Sequence, residues 1–417
     1  MSTHNARESG FSLVELLVAV AIGLIGIIIM LQVFENAEGV RRTTVSGGDA
    51  QQNGSLALYA MERDIRNAGM GINEIGLLSP PCNMVGYDAA RAVSNFPTVG
   101  NTIVLAPVQI FPGANATTPD QVAVFYGAQT QATTTALIAP VTMTATPNDL
   151  TVNTTFGFRP GDLLLLFQPS LSPAPPPQNC IFMEVTKITS NQISHASGTY
   201  TLANSLASVQ ARFNPPNFAG PNATMALTFS GNKLVSNGVT RVYNLGNIHD
   251  PEDFPGTQNP RTPAYNIYAV ANNSLTISNQ FVVSGGIATI SSIADNIVHM
   301  RADYGLDDGQ PAGAAGDGVI DRYLDAASFN ALPSPPWQYI VSVRIAVVAR
   351  SALIEKAGPG TACNGSTPFP TWSGASSAAR GFDLSAIPMP AGVTWDCYRY
   401  RVFETIVPVR NSIWRSS

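Results

Sequence analysis

From Phe11 to Phe34 the residues FSLVELLVAVAIGLIGIIIMLQVF hold a single charge, Glu15. A helix rising about 1.5 Å per residue carries such a run roughly 36 Å, enough to cross the hydrocarbon of a bilayer. The next stretch, ENAEGVRRTTVSGGDAQQNG, is polar, and its Gly47 and Gly48 predict a loosening or interruption of the helix. Regularity returns in LALYAMERDIRNAGM, where Leu58, Met61, Ile65 and Ala68 recur at helical spacing and Glu62 and Arg66 form an i,i+4 pair on another face. Gly69 and Gly71 end it. A helix with one apolar stripe needs a surface to lie against, and a sheet is the natural one.

Beyond residue 73 the pattern shortens. QVAVFYG, DLLLLFQ, CIFMEVTKI, MALTFS and VTRVYNLG are runs rich in β-branched and aromatic residues, separated by Pro, Gly and Asn. YNIYAVANNSLTISN reads as a hairpin turning at Asn272 and Asn273, a residue type that tolerates the left-handed backbone. SLSPAPPPQNC, residues 170–180, reads as a surface loop, since strands resume directly after it. QYIVSVRIAVVARS and YRVFETIVPVRN are the most strand-like stretches and are expected side by side in the sheet that covers the helix. The fold class that follows is α+β: a long N-terminal helix packed on an antiparallel β-sheet head enlarged by further β-rich insertions. Its expected parts are a membrane-spanning helix over 11–34, an amphipathic continuation over 35–72 and a β-rich head over 73–417, with one candidate subdivision near 260.

Only 12% of the 417 residues are charged, and Gly (35) and Pro (31) are frequent, which fits many short elements joined by turns. The net charge of −5 comes without a long basic block, so nucleic acid is not an expected partner. Cys82, Cys180, Cys363 and Cys397 lie far apart and form no C-x-x-C pair, which favours disulfides over a zinc or redox motif. Four cysteines permit three pairings; order along the chain favours Cys82 with Cys180 and Cys363 with Cys397.

An anion at bilayer depth costs roughly 2.5–3.5 kcal/mol on insertion scales, so Glu15 calls for a partner. The leader MSTHNARESG ends in Gly10, and G-F-S-L-V-E resembles the class III signal of type IV pilins and type II secretion pseudopilins. That resemblance implies that prepilin peptidase removes residues 1–10 by cutting between Gly10 and Phe11, that Phe11 becomes the N-methylated first residue, and that Glu15 stands at the family's glutamate position. The freed ammonium, titrating near pH 8, then matches the carboxylate one turn away, in the same subunit or a neighbour. Arg7 in the leader is offset by Glu8, and Arg41 and Arg42 follow the helix, so the processing motif rather than charge counting sets the orientation.

NGSLALYAMERDIRNAGM further resembles the corresponding segment of PilW-type minor pilins, as do VHMRADYGLDDG, GDGVIDRYLDA and the closing RYRVFETIVPVRN. The resemblance covers residues 6–72 and patches between 295 and 411. It implies a Gram-negative, single-pass inner-membrane protein with its head in the periplasm, later a component of the cell-surface pilus. Implied partners are other minor and major pilins, prepilin peptidase, the inner-membrane assembly platform and a tip adhesin. The implied role is initiation of pilus assembly near the tip, in support of twitching motility, adhesion or DNA uptake. A type II secretion pseudopilin and a membrane-anchored adhesin that never polymerises are the alternatives.

Asp303, Asp307, Asp308, Asp317 and Asp321 crowd a glycine-rich stretch; such a turn suits Ca²⁺, yet it lacks the ligand rhythm of an EF-hand, which favours a solvated acidic turn over a calcium site. His4, His195, His249 and His299 form no ligand pair, and no nucleophile elbow, phosphate loop or dinucleotide fingerprint occurs, so no enzymatic activity is expected.

Overall fold

One uninterrupted helix of 55 residues, α1 (Leu13–Asn67), runs from the apolar N-terminal stretch into the core of the head. The computed structural model describes residues 12–72, 82–91, 104–128, 136–137, 142–143, 149–167, 179–203, 206–214, 234–235, 241–249, 262–354, 363, 368–377 and 380–413. The break expected at Gly47–Gly48 does not occur. Each glycine weakens a helix by about 1 kcal/mol relative to alanine, but tertiary packing holds this turn: Ser46 and Ala50 are buried, and the Ser46 hydroxyl accepts the Leu353 N–H at 3.3 Å. The helix stops where expected, at Gly69 and Gly71, both with φ of +78°.

Along the head run β1 (Val108–Phe111), β2 (Gln121–Tyr126), β3 (Asp162–Phe167), β4 (Asn179–Glu184), β5 (Arg241–Asn247) and β6 (Ala264–Ala271). There follow β7 (Ser274–Ser284), β8 (Ile287–Asp295), β9 (Ile297–Leu306), β10 (Arg322–Asp325), β11 (Ile340–Arg350) and β12 (Tyr400–Pro408). They form three larger sheets. The closing sheet has the order β10-β9-β11-β12, the second β8-β7-β6-β2-β1, and the third places β4, β3 and β5 between the short strands Asn83–Val85 and Ala136–Leu137. Pairing is antiparallel except between Asn83–Val85 and β4. The two late strands read as partners, β11 and β12, are in register over Ser342–Arg350 and Tyr400–Pro408. The hairpin turns at Asn272 and Asn273, with φ of 51° and 59°. MALTFS, most of the proline-rich loop and the subdivision near 260 lie outside the described residues.

Side-chain alternation builds the layers. In β2, Val122 and Val124 join the cluster around α1, while Ala123 and Phe125 face the third sheet. In β3, Leu163, Leu165 and Phe167 meet that same inter-sheet core and Leu164 and Leu166 a further one, so the run DLLLLF is buried on both faces. The helix contributes Ala57, Met61, Ile65 and Ala68, all fully buried, against Val108, Tyr268, Val343, Ile345 and Val407. Leu58 is partly buried beside them, and Glu62 pairs with Arg66 on the outer side. Two disulfides, Cys82–Cys180 and Cys363–Cys397, close the chain in the order favoured by sequence. Closing loops of this size stabilises by roughly 4–5 kcal/mol each in the chain-entropy model.

Several charged groups inside the head are matched. Asp120 accepts from Arg301 Nη1 at 2.8 Å and from the Ala302 N–H at 3.0 Å, and Arg380 bridges Asp120 at 3.1 Å to Asp303 at 2.7 Å. His299, fully buried, has Nε2 3.0 Å from the Ala116 carbonyl. Burial first, and the Arg301 charge second, push this imidazole down to about 4.

Gly54 sets the approach of helix to sheet, because a Cβ there would overlap two carbons at the edge of the Phe403 ring of β12. Gly54→Ala is expected to destabilise the detergent-solubilised chain: a clash costing about 1–3 kcal/mol outweighs a helix-propensity gain of about 1 kcal/mol. In a Phe403→Ala background the same change is expected to stabilise, which denaturant melts of the four variants would read as coupling. For His299 the folded-state pKa lies below the unfolded value of 6.5, so its contribution is present above pH 6.5 and is lost as pH falls towards 4. Asp162, raised by burial to about 6, acts oppositely, its contribution present below pH 3.8 and lost as pH rises through 6. His299→Gln is therefore expected to flatten the acid-side loss of stability between pH 6.5 and 4, by on the order of 2–3 kcal/mol.

Candidate functional site

The first turns of α1 begin at Ser12, whose side chain accepts the Val14 N–H at 3.3 Å while the Glu15 carboxylate accepts the Ser12 N–H at 3.4 Å. This reciprocal cap satisfies donors that a helix start otherwise leaves open. Glu15 also lies at the positive end of the helix dipole. Gly10 and Phe11 lie outside the described residues. The carboxylate is otherwise exposed and free to accept a further donor.

Over Leu13–Glu35 the helix is long and apolar enough to cross a membrane, and none of it is buried by the head. Leu16, Leu17, Ile22, Ile25, Ile29 and Phe34 are each more than half exposed, around the whole circumference. A helix apolar on all sides requires lipid or other apolar helices around it. The same helix is then fastened to the head by Asp64, which is buried and accepts from Tyr268 Oη and Asn266 Nδ2, both at 2.7 Å. Tyr126 Oη also donates to it at 3.4 Å, and burial together with the Asp64 charge pushes that phenol up to about 12. Asp64 went unread in the sequence although it lies on the stripe Ala57, Met61, Asp64, Ala68; a charge on a buried helical face is the signal that marks it. Arg301, Asp120 and Arg380 went unread likewise, and the signal for Arg301 is a charge within a strand that is buried throughout.

The five aspartates of the glycine-rich stretch are spread among protein donors. Asp307 accepts the N–H groups of Gly316, Asp317 and Gly318 at 2.7, 3.2 and 2.7 Å, and Asp321 that of Gly309 at 2.6 Å. Asp317 accepts the Val319 N–H at 2.9 Å, Asp308 pairs with Arg322, and Asp303 pairs with Arg344 and Arg380. Burial raises the Asp303 carboxyl above its ordinary range against the pull of those two arginines. Among the described residues the five do not converge on a common cation-sized cage; the one group with ligand atoms in mutual reach is Cys363, Cys397 and Asp396, whose two sulfurs are bonded to each other. A cation in the loop therefore competes with three arginines and several backbone amides. The tyrosine ahead of the loop, Tyr304, is buried between Phe329 and Trp337 and accepts the Ile110 N–H at 2.6 Å, tying the closing sheet to the second.

Comparison with known proteins falls on these two regions. Residues 5–31 match the prokaryotic N-terminal methylation motif, and residues 264–411, from β6 through β12, match the family model for type IV pilus-assembly protein W. No curated protein and no solved structure matches the chain. With a methylation motif on its bare apolar helix and the PilW pattern on the sheets that clasp the other end of that helix, the two matches together support a type IV pilin of the PilW type.

Proposed function

We propose that this chain is a minor pilin that starts as a single-pass inner-membrane precursor, is cut between Gly10 and Phe11 and N-methylated by prepilin peptidase, and then enters the pilus. Its place is near the tip, where with other minor pilins it primes assembly on the inner-membrane platform and so supports twitching motility, adhesion or DNA uptake. The observation that carries this reading is the bare helix Leu13–Glu35, apolar on every side, immediately behind a methylation motif. Such a surface is stable in lipid before assembly and against like helices after it, with no covalent change between the two. The PilW match favours a pilus over a secretion system, and a folded head carried on the same continuous helix as the apolar segment favours a subunit over a tethered adhesin.

In this reading Glu15 exchanges partners. Within the precursor its carboxylate caps Ser12; in the filament it meets the methylated ammonium of Phe11, its own or a neighbour's, and in apolar surroundings such a pair is strongly preferred to two isolated charges. Two outcomes test the proposal. Gly10→Trp is expected to leave an uncleaved precursor in the inner membrane, and mass spectrometry of wild-type filaments is expected to find the chain beginning at methylated Phe11; an intact Met1 on the assembled protein would refute processing. Glu15→Leu is expected to insert into the membrane at least as well as the native chain, since the burial cost of about 2.5–3.5 kcal/mol is gone. It is also expected to appear in sheared filaments at roughly a tenth of the wild-type level or less. Equal incorporation would remove the charge-pairing account while leaving the processing one intact.

A further inference from the structure

Residues 43–49 of α1, TTVSGGD, all come from the weaker half of the helix scale: two threonines, a valine, a serine, two glycines and an aspartate. They are helical nonetheless. A glycine inside an element has a structural reason where the backbone takes a positive φ or where a neighbour comes too close for a Cβ. Gly54 has the second reason, in Phe403. Gly47 and Gly48 have neither, since their backbone is helical and a Cβ on either one would find nothing within 4 Å. Nor do they belong to the apolar segment, where small residues let helices approach in lipid, because that segment ends at Glu35. Each glycine lowers the helical weight of its turn about fivefold relative to alanine, and the straight helix gains nothing from it.

The surroundings of this turn leave it room. Among the residues of described burial, Ser46 is the first buried position met from the N-terminal end of α1. Beside it a recess of about 200 Å³ separates the helix from the start of β12, lined on one side by Ser46, Gly47 and Ala50 and on the other by Arg399, Tyr400 and Arg401. A bend towards β12 closes empty space there instead of meeting packed side chains. Two turns further on the helix is sealed: Ala57, Met61 and Ile65 are fully buried, and Asp64 is held by Tyr268 and Asn266. The weak stretch thus lies between an apolar arm long enough to cross a membrane and a segment clamped by the sheets. An axis that changes direction between the two does so at residues 43–49, where the fewest contacts are lost.

We propose that residues 43–49 are a hinge, at which the apolar arm of α1 swings relative to the head as the turn at Gly47 and Gly48 opens. The straight helix is its closed state. The test needs only the membrane-inserted chain, so its outcome is separate from that of the pilin reading. Full-length protein in lipid nanodiscs carries spin labels at Phe34→Cys on the arm and Ser291→Cys on the head, both exposed positions, with the native cysteines kept in their disulfides. A kink of about 30° at Gly47 swings position 34, thirteen residues away, by about 10 Å. Pulsed dipolar spectroscopy is expected to find a distribution of distances about that broad, and Gly47→Ala with Gly48→Ala is expected to narrow it about twofold. The added methyl groups meet open space, so the variant keeps its fold. Amide hydrogen exchange at residues 46–50 is expected to slow about 25-fold in the double-alanine chain, fivefold for each glycine, with exchange at 57–65 unchanged. A native distance distribution as narrow as that of the double-alanine chain overturns the hinge, as does native exchange at 46–50 as slow as at 57–65. If the double-alanine chain is lost from filaments while its distances and exchange match the native ones, the glycines serve close packing of a neighbour, and the hinge is overturned equally.

Discussion

The whole molecule depends on one helix meeting two solvents. Over Leu13–Glu35 α1 has no protein around it, and from Ala50 to Ala68 one of its faces is sealed inside the head. A continuous helix couples these halves mechanically, because bending it between them would open backbone hydrogen bonds. The junction is therefore the sensitive part. There the packed Ser46 and Ala50 stabilise a turn that two glycines weaken, and the close contact of Gly54 with Phe403 brings the axis onto β12.

Fastening that helix calls for more than apolar contact, since a stripe of Ala, Met and Ile slides along a sheet at little cost. Asp64 removes that freedom. Its two oxygens are matched by groups from β2 and β6, so a shift of one turn along the axis would leave a buried carboxylate and two phenols without partners. Buried ionic and polar contacts contribute little net stability and much positional definition. The Asp120–Arg301–Arg380–Asp303 network does the same for the closing sheet, fixing the segment around Trp372 and Phe382 onto its outer face.

The legible parts of the sequence were those where one physical period dominates. The apolar run, the stripe at Met61, Ile65 and Ala68, the turn at Asn272–Asn273 and the pairing of the two late strands all express a single local rule, and the cysteine order gave the disulfides. Three features were not legible, for distinct reasons. The continuity of α1 through Gly47–Gly48 depends on Leu353, some three hundred residues away. Among the described residues the one parallel pairing, Asn83–Val85 with β4, adjoins the Cys82–Cys180 disulfide, a long-range contact that the strand's own residues do not signal. The aspartates at 303–321 share a composition but serve different elements, and adjacency in sequence gave no measure of which carboxylate faces an arginine and which caps a loop.

An assembling subunit has to hide apolar surface twice, first in lipid and then in a filament, while staying soluble in the space between. The helix meets the first requirement by being uniformly apolar, and its exposure costs nothing while it stays in the bilayer. In the head, β8 is a nine-residue edge strand with a single charge, Asp295, at its C-terminal end. Helix packing is then the step with little specificity, since apolar helices accept one another readily, so discrimination between subunits falls to the head.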